Sequence, residues 1–345
     1  MDIISPAAQL NDLWKRGRDF LGTDYAILAG AMTWVSERNL VSALSNGGGF
    51  GVVACGAMTP ELLDTEIMAT SMLTDKPFGV NLITMHPELE QLIDVCLQKK
   101  VGHIILAGGL PGGPAIARAK AGGAKVICFA PTLALAKRLI RQGADALVIE
   151  GAEAGGHIGP VATSVLAQEI LPHIHDVPVF IAGGIALGDA VVGYLEMGAS
   201  GCQLGTRFVC AEESIAHENF KKAFIRASAR DAMPSVQFDP EFPVIPVRAL
   251  QNDATREFQE TQRDVIDSFR RGELDQAAAQ LKIEHYWAGA LRRAVVDGDV
   301  ETGSLMAGQS VGMVKSIQSA SNILQEIIDQ ALAALEGRGP VKAAT

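Results

Sequence analysis

Eight short apolar runs punctuate the chain, and the stretches between them follow a different rhythm. The runs are Tyr25–Ala29, Phe50–Ala54, Phe78–Leu82, His103–Ala107, Lys125–Phe129, Ala146–Glu150, Val179–Ala182 and Gly201–Leu204. Short continuous apolar runs read as strands covered on both faces, the kind that parallel sheets use. Between the fifth and sixth runs Leu133, Ala136 and Ile140 fall on one helical face, and Gly143 stands where a glycine cap would end that helix. Repeated strand–helix units in this number predict an α/β protein, a (β/α)8 TIM barrel. A doubly wound open sheet is the rival, but it normally carries a Gly-x-Gly-x-x-Gly turn after an early strand. Gly47-Gly48-Gly49 precedes a strand instead of following one.

After the eighth run the pattern changes. Residues 221–304 carry mixed charge and helical stretches without further regular strand alternation, and Phe242-Pro243-Val244-Ile245-Pro246 breaks them into pieces. This segment is expected to be a smaller, mostly helical lid inserted into the barrel, which comprises residues 1–220 and 305–345. Ile323, Leu324, Ile327, Ile328, Ala331 and Leu335 form an apolar stripe at helical spacing, suited to packing on the barrel or on a second subunit. The tail after Gly337 reads as loose.

Active sites of such barrels lie at the C-terminal ends of the strands. Those ends carry Gly30-Ala31-Met32, Asn81, Gly108-Gly109, Pro131-Thr132, the stretch from Glu150 to His157, Gly183-Gly184 and Gly205-Thr206. The pairs Gly183-Gly184 and Gly205-Thr206 follow the seventh and eighth runs, where this fold commonly receives a phosphate on backbone N–H groups. The block Gly151-Ala152-Glu153-Ala154-Gly155-Gly156-His157-Ile158-Gly159 follows the sixth run. Its glycines let a flat ligand lie against the backbone, and His157 supplies a proton-moving side chain at the edge. Glu153 reads equally as a partner of His157 or of a cation and as a solvated carboxylate. His86, His173, His175 and His217 read as loop or surface residues.

Composition narrows the classes. The chain has 345 residues, a formal net charge of -10 and 48% hydrophobic content, enough for a large core and unsuited to a nucleic-acid surface. Neither the N-terminus nor any apolar run reads as a signal peptide or a membrane span, so a cytoplasmic protein is expected. The five cysteines show no CxxC pair and read as buried thiols, and no HExxH or Cys/His spacing suggests a metal. The absence of a Gly-x-Ser-x-Gly elbow weighs against a serine hydrolase.

Taken together, Gly30-Ala31-Met32-Thr33-Trp34-Val35, Lys76-Pro77-Phe78-Gly79-Val80-Asn81, Glu153–Gly159, Ala182-Gly183-Gly184-Ile185, Leu204-Gly205-Thr206-Arg207-Phe208 and Met306-Ala307-Gly308-Gln309 resemble a flavin-dependent family. That family joins nitronate monooxygenases (2-nitropropane dioxygenases) with enoyl-acyl-carrier-protein reductase II, and the resemblance runs from about Tyr25 to Val314. It implies an FMN-dependent oxidoreductase with His157 as the catalytic or substrate-orienting residue. It also implies that FMN is held by Gly30, Ala31, Met32, Asn81, Gly155, Gly156, Gly183, Gly184, Gln203, Gly205, Thr206, Met306, Gly308 and Gln309. Oxidation of alkyl nitronates with O2 is the leading expectation. The alternative is NAD(P)H-dependent reduction of 2-enoyl thioesters, with acyl carrier protein as partner; Ala31 in place of a proline before Met32 leans that way. An NAD(P)H:quinone reductase comes third. A small-molecule substrate, a homodimer, and neither nucleic acid nor membrane complete the expected partners.

Overall fold

The computed structural model describes residues 4–338 apart from residues 57, 240, 241 and 243. The expectations for Pro243 and for the tail beyond residue 338 therefore fall outside the described residues. The first strands are β1 (Ile27–Ala29), β2 (Gly51–Ala54), β3 (Phe78–Ile83), β4 (His103–Ala107), β5 (Lys125–Phe129) and β6 (Ala146–Glu150). They are followed by β7 (Gly156–His157), β8 (Val179–Ala182), β9 (Gly201–Leu204), β10 (Ala232–Pro234), β11 (Val247–Leu250) and β12 (Leu305–Met306). Eight of these form one parallel sheet in the order β1-β9-β8-β6-β5-β4-β3-β2. A parallel bridge from Leu28 to Phe50 brings β1 back to β2, so the sheet closes into the expected TIM barrel.

The barrel forms because its strands can be apolar on both faces. Leu147, Val148 and Ile149 of β6 are fully buried, as are Phe180 and Ile181 of β8. Between β5 and β6 the helix Leu133–Arg141 starts on Thr132, whose side chain accepts the N–H of Leu135, and the chain leaves it through Gly143 at φ 107°. Only a residue without Cβ adopts that backbone freely. At the N-terminal end of the barrel, His103 packs edge-on against Phe20 and Phe50 and donates from Nε2 to the Phe20 carbonyl at 3.0 Å. Its burial holds the ring neutral, with the pKa pulled down to about 4.

The apolar stripe near the end becomes the helix Ala320–Gly337 and packs on the barrel's own helices. A Cβ on Gly188 would stand 2.2 Å from the Ile327 carbonyl oxygen, and Leu324 lies against Gly47 and Gly49. Arg207 is buried here and binds Glu326 at 2.5 Å, so the arginine of the Gly-Thr-Arg-Phe block ties the last helix to the barrel.

Residues 221–304 contain the helices Asp253–Arg270 and Gln276–Val295, and also two strands that the hydrophobic pattern does not announce, β10 and β11. β11 pairs antiparallel with β10, β12 and β7, with Val247 opposite His157 and Ala249 opposite Met306. A second apolar cluster of Phe242, Val244, Val247, Phe258, Val265, Ile266, Ala279, Ile283 and Trp287 lies beneath these helices. The small sheet is therefore built from both sequence segments, and it grips the loop that carries His157.

Candidate functional site

The glycine–histidine loop leaves β6 and is held from four sides. Arg248 of β11 is buried and donates from Nε to the Ala152 carbonyl at 2.9 Å and from Nη1 to the Ala232 carbonyl at 2.6 Å. Burial lowers its pKa, and Glu153 acts in the opposite sense. Backbone pairing of Arg248 with Gly156 and of Val247 with His157 continues the grip, and Ile158 donates to the Pro246 carbonyl at 2.9 Å. Gln309 donates to the Glu153 carbonyl at 2.9 Å. The charge of Glu153 acts on the Arg248 guanidinium, while its carboxylate makes its hydrogen bonds elsewhere. It accepts the N–H and hydroxyl of Thr163, both at 2.9 Å, at the start of the helix Thr163–Ile170.

The same contacts bring most of the remaining candidate residues together. Gly308 donates to Oγ1 of Thr206 at 2.9 Å. A Cβ on Gly155 would stand 2.5 Å from the Gly308 nitrogen, so these two loops touch through bare backbone. Gly30 donates to the Leu204 carbonyl at 2.8 Å and lies against Gly205, itself 3.6 Å from the Met32 sulfur when given a Cβ. Ala31 sits between Gly30 and Met32, partly buried. Gln203 of β9 lies in register between Leu28 and Ala182, and Met306 lies beside Gly156. Asn81 reaches the same end of the barrel from β3, with no side-chain hydrogen bond joining it to the others among the described residues. His157 stands exposed on β7, and the remaining histidines singled out from sequence have modest roles. His217 caps the helix Glu218–Arg226, and His86 accepts the N–H of Glu88 at 3.1 Å.

Whether a phosphate-bearing flavin fits can be judged from groups left without partners. Gly183, Gly184 and Gly205 have N–H groups that make no hydrogen bond among the described residues. Gly183 and Gly184 take φ of 95° and 73°, and a Cβ on Gly183 would meet the Gly151 carbonyl oxygen at 2.9 Å. Unsatisfied N–H groups beside a left-handed glycine pair make an anion seat. The side-chain amides of Asn81 and Gln203 likewise have no hydrogen bond within the described protein, although Asn81 is only 8% exposed. Polar groups of this kind at a strand-end mouth are what a polar, planar ligand satisfies. The residues fit the group.

One acid at this mouth was not singled out from sequence. Glu150 ends β6, is partly buried, and its carboxyl makes no hydrogen bond among the described residues. Burial alone pushes it up to about 8. The only sequence signal was a carboxylate closing an otherwise apolar run. All five cysteines are free and buried, and Cys55, beside the mouth, is pushed up to about 12 by burial. A cavity of about 440 Å³ lined by Lys76, Lys100, His103 and Lys125 opens at the opposite, N-terminal end of the barrel. No group of three or more His, Cys, Asp and Glu suited to a metal ion occurs among the described residues, and no helix there is long and apolar enough to cross a membrane.

Comparison with known proteins points the same way as the geometry. A family model described as nitronate monooxygenase matches residues 15–92 and 84–330. The solved structure of FabK from Thermotoga maritima superposes with a TM-score of 0.83 at 36% identity, covering 94% of this chain and 97% of that one. A dehydrogenase of Rhodococcus jostii named for a hydroxy-methyl-oxo-octahydroindene-carboxyl-CoA is 28% identical, over 94% of this chain and 98% of its own length. A probable nitronate monooxygenase of Staphylococcus aureus is 26% identical, over 92% and 98%.

Proposed function

The chain belongs to the nitronate monooxygenase family and is an oxidoreductase, and from that premise we propose that it binds FMN at the barrel mouth and oxidises alkyl nitronates with O2. The observation that carries this reading is the convergence of three glycine segments on one spot. The β6–β7 loop, the β9 turn and residues 306–309 are hydrogen-bonded to one another, with His157 beside them. Gly183, Gly184, Gly205 and the Thr206 hydroxyl would hold the phosphate, while Asn81 and Gln203 would meet the polar edge of the ring. Bound flavin supplies electron transfer between substrate and oxygen. His157 holds the nitronate oxygens, or takes the α-proton when a neutral nitroalkane is offered. Residues 221–304 act as the lid over this mouth, controlling access and excluding water.

A second reading is favoured by the 36% identity to FabK and by the thioester in the name of the Rhodococcus relative. On it, NAD(P)H is the electron donor and His157 polarises the carbonyl of a 2-enoyl thioester. Anaerobic stopped-flow spectroscopy separates the two. The nitronate reading expects propyl-2-nitronate to bleach the flavin without pyridine nucleotide. It also expects His157→Ala to keep flavin while turnover falls by roughly 10²–10⁴-fold. Rapid bleaching by NAD(P)H, reoxidation by a crotonyl thioester and negligible response to nitronate would replace it with the second reading.

A further inference from the structure

We propose that the cavity at the N-terminal end of the barrel is a second binding site, for a small organic molecule bearing two or more phosphate groups. It lies at the end opposite the mouth, so it stands apart from the FMN reading. The cavity, of about 440 Å³, gathers Lys76, Lys99, Lys100 and Lys125 at the starts of β3, β4 and β5 and the turns that lead into them. It does so in a chain whose net charge is -10, and a single acid, Asp75, shares the lining. Lys99 is neutralised by Asp64 at 2.9 Å, and Lys125 donates to the Phe20 carbonyl while lying over the Phe20 ring. The ammonium groups of Lys76 and Lys100 make no hydrogen bond or ion pair among the described residues. Setting the Lys99–Asp64 pair aside, three cations face one carboxylate. A concave wall of low dielectric focuses that excess positive charge on an anion.

One of these charges is kept where the backbone favours another residue. Lys100 takes φ 58°, one of two non-glycine residues with left-handed backbone among those described. It stands two residues past the helix Leu89–Gln98, where its N–H bonds the Leu97 carbonyl and that of Val101 bonds the Cys96 carbonyl. Glycine is favoured at this position, and the chain places it there after four other helices, at Gly123, Gly143, Gly198 and Gly272. Here a lysine brings a charge to the cavity instead. The ligand class follows from the kind of donor. No arginine lines the cavity among the described residues, so the planar fork that suits a carboxylate is missing. Ammonium groups act as point charges and meet phosphoryl oxygens from several directions. The Gly102 N–H, also without a partner among the described residues, adds a donor. Leu21, Pro77, Phe78 and Val101 supply an apolar wall for the organic part. His103 is neutral and bonded to the Phe20 carbonyl, so the anion falls to the lysines. The acidic balance of the whole chain repels an extended polyanion, which favours a small molecule over nucleic acid or an anionic membrane.

Titration calorimetry of the purified full chain at low salt, with pyrophosphate and with ADP as probes, tests the site. Saturable binding is expected, with Lys76→Ala and Lys100→Gly each weakening it by about tenfold. The double variant should bind neither probe. Lys100→Gly should melt no lower than wild type, because glycine takes φ 58° freely, so its loss of affinity is not a loss of fold. Lys137→Ala, on the helix Leu133–Arg141 and outside the cavity lining, serves as the control and should bind as wild type does. Absence of saturable binding by both probes would overturn the proposal. So would binding that neither Lys76→Ala nor Lys100→Gly weakens, which would place the anion elsewhere on the chain. Citrate bound as tightly as pyrophosphate would overturn the phosphate class.

Discussion

At the residue scale, the site depends on side chains of two kinds, and only one kind was legible in the sequence. His157, Asn81 and the glycines stand at strand ends in a pattern that itself points to a ligand. Arg248 and Glu150 do not announce themselves, because a single charged residue in an apolar run has no spacing to read. Arg248 matters because its buried guanidinium has two backbone carbonyls as hydrogen-bond partners, one on the His157 loop and one on β10. Removing it would leave both carbonyls buried without partners and let the loop shift. Small displacements of a reacting group cost rate steeply. Arg248→Met is expected to lower turnover by about 100-fold, and Arg248→Lys, which restores one contact, by about tenfold. Steady-state kinetics beside a thermal melt checks this: full turnover in a folded Arg248→Met protein would remove Arg248 from the positioning of His157.

At the element scale, seven of the eight apolar runs coincide with barrel strands to within a residue, and the first differs only in that Tyr25 and Ala26 precede β1. That legibility has a physical source, since strands covered on both faces carry apolar residues at most positions. β7, β10 and β11 escaped for the converse reason. β7 is two residues long and begins with glycine, and β11 carries Arg248 in the middle of a fully buried run. Their pairing is set by the tertiary contacts of the small sheet and not by local alternation. The strand-end glycines are where an element and the cofactor are expected to meet. Gly183→Leu should weaken FMN binding by at least about tenfold, because the side chain meets the Gly151 carbonyl oxygen and blocks backbone approach to phosphate. Gly193→Ala, in open space on the helix Gly188–Glu196, serves as the control and should bind FMN as wild type does. Equal affinities for the two variants by fluorescence titration would contradict the phosphate seat.

At the scale of the whole molecule, the closed barrel fixes eight strand ends in one ring. The helix Ala320–Gly337 braces it from outside, and the small sheet couples residues 247–250 and 305–306 to the His157 loop. The family could be recognised from sequence because its motifs sit on these strand ends. The substrate could not, because relatives named for different activities match the same chain over nearly its whole length. The central claim is that the partnerless N–H groups at the β8 and β9 turns seat a single phosphate and hence FMN. The most direct measurement is the flavin released by heat from the purified protein, identified by chromatography and counted against protein concentration. One equivalent of FMN per chain is the predicted result. FAD in the supernatant, or a colourless protein that takes up no added FMN, would contradict the account.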